Sequence, residues 1–322
     1  MRRMLCGWVS LGLAACASSD GLVGADGAVP LASFVAVPFV CAHRGGAAYA
    51  PENTMLAFEN AARLGVDDFE ADMLATADEV LVLIHDDTLD RTTDCSGRVA
   101  DKTYAEIREC DAAYWFSPGQ PTTSPNEDLP HPLRGHGVRV PTATELFDFA
   151  AQFKGAYAPT VTIEIKIGLD SLDGLTAAGL RAAQLLVAQI QASGIPERII
   201  VQSFNPLAID AFKSLDPTIK TLYLTPSGAL PNLSYAALRG HEYVAPQFAS
   251  PDLNAGFVEI AHALGKQVVP WTADREADIR GLIDIGVDGI ITNFPACLLR
   301  IQNRLHTTRL TPSGAGEAPA CP

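Results

Sequence analysis

The sequence is poor in positive charge: 23 Lys and Arg stand against 37 Asp and Glu in 322 residues, which gives a formal net charge of −14. Nucleic acids select proteins with basic surfaces, so this balance indicates that the chain has no nucleic-acid partner. The sequence also lacks a P-loop, a dinucleotide-binding GxGxxG pattern, a zinc-binding HExxH pattern and a CxxC pair. Apolar residues make up 48% of the chain, which is enough for a sizeable core and argues against general disorder.

The first residues form a targeting pattern. Arg2 and Arg3 precede an apolar run over residues 4–15 that is too short to span a bilayer. The run ends in small residues directly before Cys16, which is typical of bacterial lipoprotein signals. We therefore expect residues 1–16 to be a signal peptide and Cys16 to carry lipid. The chain would then be exported and anchored in a membrane, facing the periplasm or the cell exterior. The alternative is a plain secretory signal with an incidental cysteine.

Cys6 would leave with such a signal and Cys16 would carry lipid, so five of the seven cysteines remain. Cys95 and Cys110 flank a polar, loop-like stretch, and bridging them would stabilise the fold by about 3 kcal/mol in the chain-entropy model. Cys297 and Cys321 can pin the C-terminal tail. Cys41 lies in an apolar run and is expected to be a buried free thiol.

Short apolar runs alternate with segments of helical periodicity from residue 37 onward, which favours a parallel sheet covered by helices. The strand-like runs are 38–42, 66–72, 79–84, 160–166, 198–203, 219–224, 242–246, 267–271 and 287–291. The helix-like segments are 53–64, 142–152, 173–193, 205–215, 253–264, 275–285 and 295–304.

Nine strands are one too many for an eight-stranded barrel. Only six residues separate the second run from the third, and a parallel crossover needs about a dozen. The run 79–84 must therefore form a hairpin or lie outside the barrel. The others predict an α/β fold, a TIM (βα)8 barrel over residues 37–304, with a small loop subdomain inserted at about 87–140. Residues 17–36 read as a flexible tether and 305–322 as a C-terminal tail.

Polar side chains stand at the ends of most predicted strands, where α/β barrels carry their reactive groups. Glu70 and Asp72 share one face of their strand, and Glu164 and Lys166 share one face of theirs, because alternate residues point the same way. The three carboxylates form an all-oxygen set suited to one divalent cation, Ca²⁺ or Mg²⁺. The alternative is that the acids form structural ion pairs with Arg44 and Lys166.

His43 and His85 follow two of these strands and are the candidate proton carriers, because imidazole titrates near neutral pH. Arg44 and Lys166 supply local positive charge that would stabilise charge developing on a phosphoryl group. We interpret the other five histidines as ordinary surface or loop residues: His131, His136, His241, His262 and His306.

Nine motifs, in order and spacing over about residues 39–302, resemble the glycerophosphodiester phosphodiesterase family. They are His43-Arg44-Gly45, Pro51-Glu52-Asn53-Thr54, Glu70-Ala71-Asp72, His85-Asp86, Leu89-Asp90-Arg91-Thr92-Thr93, Glu164-Ile165-Lys166, Gln202-Ser203-Phe204, Trp271-Thr272 and Asp288-Gly289-Ile290.

The resemblance implies a TIM barrel with a bound divalent ion and hydrolysis of a small-molecule glycerophosphodiester to glycerol 3-phosphate and an alcohol. It implies acid and base roles for the two histidines and a phosphate contact for Arg44. Glu52 would lie near the metal and substrate, and Trp271 against the glycerol moiety. The first nucleophile, water or the glycerol 2-hydroxyl, stays open, as does the oligomeric state.

The sequence departs from the family pattern in three places. Asn293 stands where Asp is usual, and Asp274 stands where Asn is usual. The loop 118–139 is longer than in compact members. The aromatic run Tyr114-Trp115-Phe116 either packs the insertion on the barrel or lines a wall for an acyl chain.

Two other functions remain open at this point. A lysophospholipase D or sphingomyelinase D-like enzyme would use the same histidines and carboxylates. A non-catalytic lipoprotein that binds glycerophosphodiesters would not need both the histidines and the carboxylates.

Overall fold

The computed structural model describes residues 37–122, 124–166, 177–307 and 318–322. The predicted signal with Cys16 and the predicted tether lie outside these ranges, as does most of the predicted tail. Within them, no helix has the length and apolar character needed to cross a membrane.

All nine predicted strands are present in the described ranges, and they form one sheet. Their bounds are β1 Phe39–Ala42, β2 Asp68–Ala75, β3 Leu81–Leu83, β4 Thr160–Ile165, β5 Ile199–Ser203, β6 Lys220–Thr225, β7 Tyr243–Pro246, β8 Gln267–Val268 and β9 Gly289–Thr292. Eight of them are parallel neighbours in the order β8-β7-β6-β5-β4-β2-β1-β9.

Backbone hydrogen bonds also join the two ends of this path. The amide of Asp288 donates to the carbonyl of Val268 at 2.9 Å, and the amide of Ile291 donates to Pro270 at 3.0 Å. The sheet therefore curls into a nearly closed barrel, as the sequence predicts.

The extra strand forms the predicted hairpin. β3 pairs antiparallel with the end of β2, with Met73 opposite Leu83 and Ala75 opposite Leu81. The short turn between them leaves β3 outside the ring of eight parallel strands and directs His85 back toward the barrel mouth.

The helix bounds are α1 Met55–Leu64, α2 Tyr104–Ile107, α3 Ala143–Ala151, α4 Ala177–Ala192, α5 Pro206–Leu215, α6 Leu230–Arg239, α7 Ala255–Ala263, α8 Glu276–Asp284 and α9 Pro295–Ile301. The sequence analysis missed α6. It begins at a Pro in the first turn and ends before Gly240, so a short helix reads as a turn-rich loop.

Successive side chains along each β strand alternate between two environments. On β2, Phe69 and Met73 point outward into the layer beneath the helices, and β4 does the same with Ile163. The barrel interior holds a smaller apolar cluster that includes Cys41 and Leu222. Each fully buried side chain of this size stabilises the fold by roughly 1.5–3 kcal/mol, so the apolar faces fix the strand register and force the carboxylates of β2 and β4 inward.

The insertion packs around its own small cores. Val99 and Ile107 lie with Leu89 in one, and Phe116 lies with Leu133 in another. Phe116 is fully buried, whereas Tyr114 and Trp115 are partly exposed and contact the guanidinium of Arg134.

The predictions for the cysteines in the described ranges are confirmed, and the lipidation of Cys16 stays a prediction. Cys95 is bonded to Cys110 within the insertion, and Cys297 is bonded to Cys321, which ties the last residues to α9. Cys41 is a buried free thiol.

The interpretation of His241 as a surface or loop residue is wrong. Its side chain is fully buried between α5 and β6, where Nδ1 lies 2.9 Å from Oγ1 of Thr221 and Nε2 lies 3.2 Å from Oδ1 of Asp210. Its partners are 20 and 31 positions away in the sequence, so no local pattern marked it.

Candidate active site

The carboxyl ends of β1, β2, β4 and β5 meet at one edge of the barrel. Asp72 lies beside Glu164, and Glu164 lies beside Gln202, in the strand register. This edge carries a cavity of about 100 Å³. The predicted site residues that line it are His43, Arg44, Glu70, His85, Glu164, Lys166 and Trp271.

A strained turn after β1 presents His43 and Arg44 to this cavity. Arg44 has φ 53°, in the left-handed region that non-glycine residues avoid, and this conformation costs about 1–3 kcal/mol. The strain aims the amide of Arg44 at Glu70, to which it donates at 2.7 Å. Gly45 follows at φ 79°, and a Cβ there would lie 2.6 Å from the Cβ of Ala57. Gly45 is therefore required by the backbone, whereas Arg44 adopts its strained conformation despite its side chain.

The three predicted acids come together. Glu70, Asp72 and Glu164 are buried, and each offers an oxygen within 4.8 Å of the others. Burial, with the neighbouring Asp72 carboxylate, raises the pKa of Glu70 well above its usual value. Burial also raises the pKa of Glu164, to about 7. Lys166 lies between two of the acids, with Nζ 3.1 Å from Asp72 and 2.9 Å from Glu164.

Asp72 behaves differently from the other two acids. Burial acts to raise its pKa, but the cations of Lys166 and Arg44 beside it hold that pKa well below its usual range. Asn53 orients its carboxylate from the other side, because Nδ2 of Asn53 donates to Oδ2 of Asp72 at 2.8 Å. Oδ1 of Asp72 is buried and makes no well-formed hydrogen bond among the described residues, although Nζ of Lys166 lies 3.1 Å from it as an ion pair.

The donor set fits a divalent cation. Five carboxylates surround the cavity and its rim against three cationic side chains: Glu52, Glu70, Asp72, Asp86 and Glu164 against Arg44, Arg91 and Lys166. With all five carboxylates ionised the excess is negative, and the ligands would be hard oxygens. One of them, Oδ1 of Asp72, is buried with the Lys166 ion pair beside it. The ion pairs with Arg44 and Lys166, the alternative weighed from the sequence, are present and offset only part of this charge.

The sequence analysis gave no separate role to Arg91 or Asp86. Arg91 donates to both oxygens of Glu52, at 2.7 and 2.8 Å, and its Nε donates to Asp86 at 2.5 Å. Glu52 also accepts from Arg44 at 2.8 Å. Glu52 thus holds two guanidinium groups in place, which is a more specific position than the general site contact expected for it. The only sequence signal for Arg91 was its place in the Leu89–Thr93 motif.

His43 is held by a neutral partner. Its Nδ1 lies 2.7 Å from Oδ1 of Asn293. Burial, together with the adjacent Arg44 charge, lowers the pKa of His43 to about 3. The ring is therefore an uncharged imidazole near neutral pH.

His85 is held by a charged partner. Its Nδ1 lies 2.6 Å from Oδ1 of Asp86, and the side chain is 32% exposed at the cavity mouth. The hydrogen bond from His85, joined by that from Arg91, holds the pKa of Asp86 well below its usual range. The carboxylate next to His85 is thus ionised.

An aromatic wall faces these polar groups. Trp271 donates from Nε1 to the carbonyl of Ala245 at 2.8 Å, which fixes the plane of its ring. Phe204 packs against it edge-on, with the ring centres 5.1 Å apart. The cavity thus has a cationic and acidic side and an apolar side.

Comparison with known proteins agrees with this geometry. The chain matches the family described as "Glycerophosphoryl diester phosphodiesterase family" over residues 43–297. It is 35% identical to a glycerophosphodiester phosphodiesterase of Caldanaerobacter subterraneus subsp. tengcongensis over 268 residues, which cover 82% of this chain and 98% of that protein.

Solved structures share the barrel. A Silicibacter pomeroyi protein provisionally named as a glycerophosphoryl diester phosphodiesterase superposes with a TM-score of 0.70 at 27% identity, over 84% of this chain and 95% of that one. An Oleispira antarctica phosphodiesterase, solved in complex with its product sn-glycerol-3-phosphate, superposes with a TM-score of 0.68 at 23% identity, over 83% of this chain and 96% of that one. The fold, the extent of the match and the residues at the strand ends lead to one assignment: this chain belongs to the glycerophosphoryl diester phosphodiesterase family.

Proposed function

We propose that the protein hydrolyses glycerophosphodiesters to glycerol 3-phosphate and an alcohol with the help of one bound divalent cation, Ca²⁺ or Mg²⁺. The observation that carries the proposal is the convergence of two differently held histidines, two cationic side chains and a cluster of three buried carboxylates, two of which line the same cavity.

Glu70, Asp72 and Glu164 would hold the cation. When bound, it would polarise the phosphoryl oxygens and offset the excess negative charge of the site. Arg44 and Lys166 already point into the cavity and would contact the non-bridging oxygens. The Glu52 carboxylate keeps Arg44 extended toward the phosphate, because the guanidinium is tied to it at 2.8 Å.

The two histidines would divide the proton transfers. His43 is neutral, so its free Nε2 accepts a proton from the attacking hydroxyl, whether water or the glycerol 2-hydroxyl. Asp86 holds Nδ1 of His85 and so orients the ring, and His85 would donate a proton from Nε2 to the leaving alcohol oxygen. The new phosphorus–oxygen bond forms as the bond to the alcohol breaks. If a cyclic phosphate forms first, water opens it with the two roles reversed.

Trp271 and Phe204 would form the side of the pocket that contacts the carbon skeleton of the glycerol. Their fixed edge-on packing would give this cavity an apolar wall beside the polar groups of Arg44 and Lys166.

We also propose that the protein acts outside the cytoplasm as a lipoprotein anchored through Cys16. Support comes from the signal-like residues 1–16 and from the two disulfides, since disulfides persist in oxidising compartments and are rare in the cytosol. Labelled fatty acid should be incorporated by the full chain in a bacterial host and not by the Cys16→Ala variant.

Turnover by the mature chain in detergent tests the enzymatic proposal. Glycerophosphocholine, glycerophosphoethanolamine and a lysolipid are supplied with EDTA, and then with added Ca²⁺ or Mg²⁺. We expect glycerol 3-phosphate from the first two substrates, loss of turnover in EDTA and recovery with one of the ions.

A matched pair of variants ties the ion to the three acids. Glu164→Gln should raise the ion concentration needed for half-maximal activity, whereas Glu276→Gln, at an exposed ion pair on α8, should not. Turnover that is indifferent to EDTA would remove the cation from the proposal. Binding of glycerophosphocholine without turnover would favour a transport lipoprotein instead.

A further inference from the structure

We propose that Asp274 and Asn293 act together as a positioning pair that holds His43 in the single tautomer able to accept a proton at Nε2. The inference rests on the proposed function, in which His43 is the base. Neither residue faces the substrate, and both were known from the sequence only as departures from the family pattern.

The pair is closely connected. Nδ2 of Asn293 donates to Oδ2 of Asp274 at 2.8 Å, and the backbone amide of Asn293 donates to Oδ1 at 2.9 Å. The hydroxyl of Thr292 donates to the same Oδ1 at 3.2 Å. Asn293 is buried, so the packing around it restricts its side-chain amide to one rotamer.

The chemistry of the donors settles which way the amide faces. Both oxygens of Asp274 act as acceptors, Oδ1 for the hydroxyl of Thr292 and the backbone amide of Asn293, so the group of Asn293 that faces Oδ2 is the NH₂. The carbonyl oxygen then faces His43 at 2.7 Å, and an oxygen of this kind also only accepts. The proton must therefore lie on Nδ1 of His43. Nε2 is left with its lone pair directed into the cavity.

The pair sits at the seam that closes the barrel. Asp274 follows β8 and Asn293 follows β9, and the amide of Ala273 donates to Ile291 at 3.1 Å across the seam. The carbonyl of Asn293 also accepts from Ala48 at 3.3 Å, just beyond the turn that carries His43. Closure of the barrel thus delivers the orienting amide to the base.

The two departures compensate each other. With Asp at 293 and Asn at 274, the side chain at position 274 would donate to the carboxylate at position 293, and that carboxylate would accept from His43. The number of hydrogen-bond donors and acceptors between the two positions and His43 is then unchanged. Either substitution alone removes the match between donors and acceptors. Asn293→Asp places two carboxylates at a hydrogen-bond distance, and Asp274→Asn leaves the Asn293 amide free to flip and offer NH₂ to His43.

We therefore expect each single variant to lower kcat on the order of 10- to 100-fold with little change in KM. The double variant Asn293→Asp/Asp274→Asn should recover most of that loss. The control is Asn126→Asp/Asp252→Asn, at exposed loop positions, which has the same composition and net charge. It should retain wild-type kcat and KM.

The tautomer itself can be read by ¹⁵N NMR of the full chain labelled at histidine, with the His43 signals assigned by their loss in His43→Gln. We expect the Nδ1–H tautomer in the wild type and in the double variant, and a tautomer mixture in Asp274→Asn. This measurement needs no mutation in the pair, so a poorly folding variant does not block the test.

An Nε2–H tautomer in the wild type would overturn the inference, as would single-variant losses that simply multiply in the double variant. The role of His43 is tested separately. If His43→Gln retains turnover, the proposed function fails and the pair has no base to position. If His43→Gln is inactive while both single variants match wild type, only the positioning role fails.

Discussion

The site contains two histidines, and their surroundings are opposite in character. His43 is buried, contacts a neutral amide and has a pKa lowered to about 3 by burial. His85 is partly exposed and contacts a carboxylate that is itself fixed by Arg91. The residue type therefore sets what chemistry is available, and in the proposed mechanism the partner of Nδ1 decides which histidine accepts a proton and which donates one.

The difference arises from where each partner comes from. The partner of His85 is its own neighbour in the chain, supplied with the same loop. The partner of His43 comes from the far end of the barrel, 250 positions away, and reaches it only because β1 pairs with β9. One environment is encoded locally, and the other exists only after the barrel closes.

Replacing each histidine should give the largest effect. We expect His43→Gln and His85→Gln each to reduce kcat for glycerophosphocholine by about 10²- to 10⁴-fold, since each removes one proton transfer. The two should separate on a p-nitrophenyl phosphodiester, whose leaving group needs little protonation. His85→Gln should recover much of its rate there, and His43→Gln should not. Recovery of the His43 variant instead would reverse the assignment of acid and base.

The carboxylate beside His85 should matter next. Asp86→Asn replaces the carboxylate that orients the His85 ring, and we expect kcat for glycerophosphocholine to fall on the order of 10- to 100-fold. The loss should shrink on the p-nitrophenyl substrate, following that of His85→Gln. Asp90→Asn is the control, because Asp90 is exposed in the same loop and accepts from the amide of Gly97 instead of from His85. Equal losses on both substrates would show that Asp86 only holds Arg91 in place.

Exchanging Asn293 and Asp274 should shift the pH profile of kcat/KM without abolishing activity. In Asn293→Asp/Asp274→Asn the negative charge moves next to His43 and favours its protonated form, so the pKa of His43 rises. A base must be deprotonated, so the acidic limb of kcat/KM should move to higher pH, by about one unit or more. If the acidic limb stays where it is in the wild type and in the Asn126→Asp/Asp252→Asn control, His43 is not the group whose pKa sets that limb.

The sequence predicted the barrel and most of the site because both follow from local rules. Alternation on β2 and β4 placed Glu70, Asp72 and Glu164 inward, and parallel strand ends must meet at one edge. The hairpin followed from a gap too short for a crossover. These inferences needed only residue spacing.

What the sequence did not reveal depends on contacts between distant segments. Arg91 lies in the insertion and Glu52 before α1, and nothing in either stretch indicates that they bind each other. The Asp274–Asn293 contact looked like two separate departures until the closing strands brought them together. Long-range polar pairs are set by the fold, so they become visible only in the structure.

His241 offers a buried histidine outside the site, and changing it should leave catalysis nearly untouched. Burial lowers its pKa, so the folded protein keeps it neutral, while the unfolded chain protonates it near its ordinary value of about 6.5. The unfolded state then binds more protons as the pH falls, so this group's contribution to stability is lost below about pH 6.5.

His241→Gln should therefore reduce the free energy of unfolding by about 1–3 kcal/mol near pH 7.5, because Asp210 and Thr221 lose a buried partner. The difference from wild type should narrow at about pH 5.5, where the wild type has lost part of its advantage. Urea unfolding at the two pH values measures both, and kcat should stay within about twofold, since no proton transfer is removed. His262→Gln, at an exposed histidine, is the control. A variant whose deficit grew on acidification would mean that His241 is charged in the fold, and that its ion pair with Asp210 outweighs the cost of burying it.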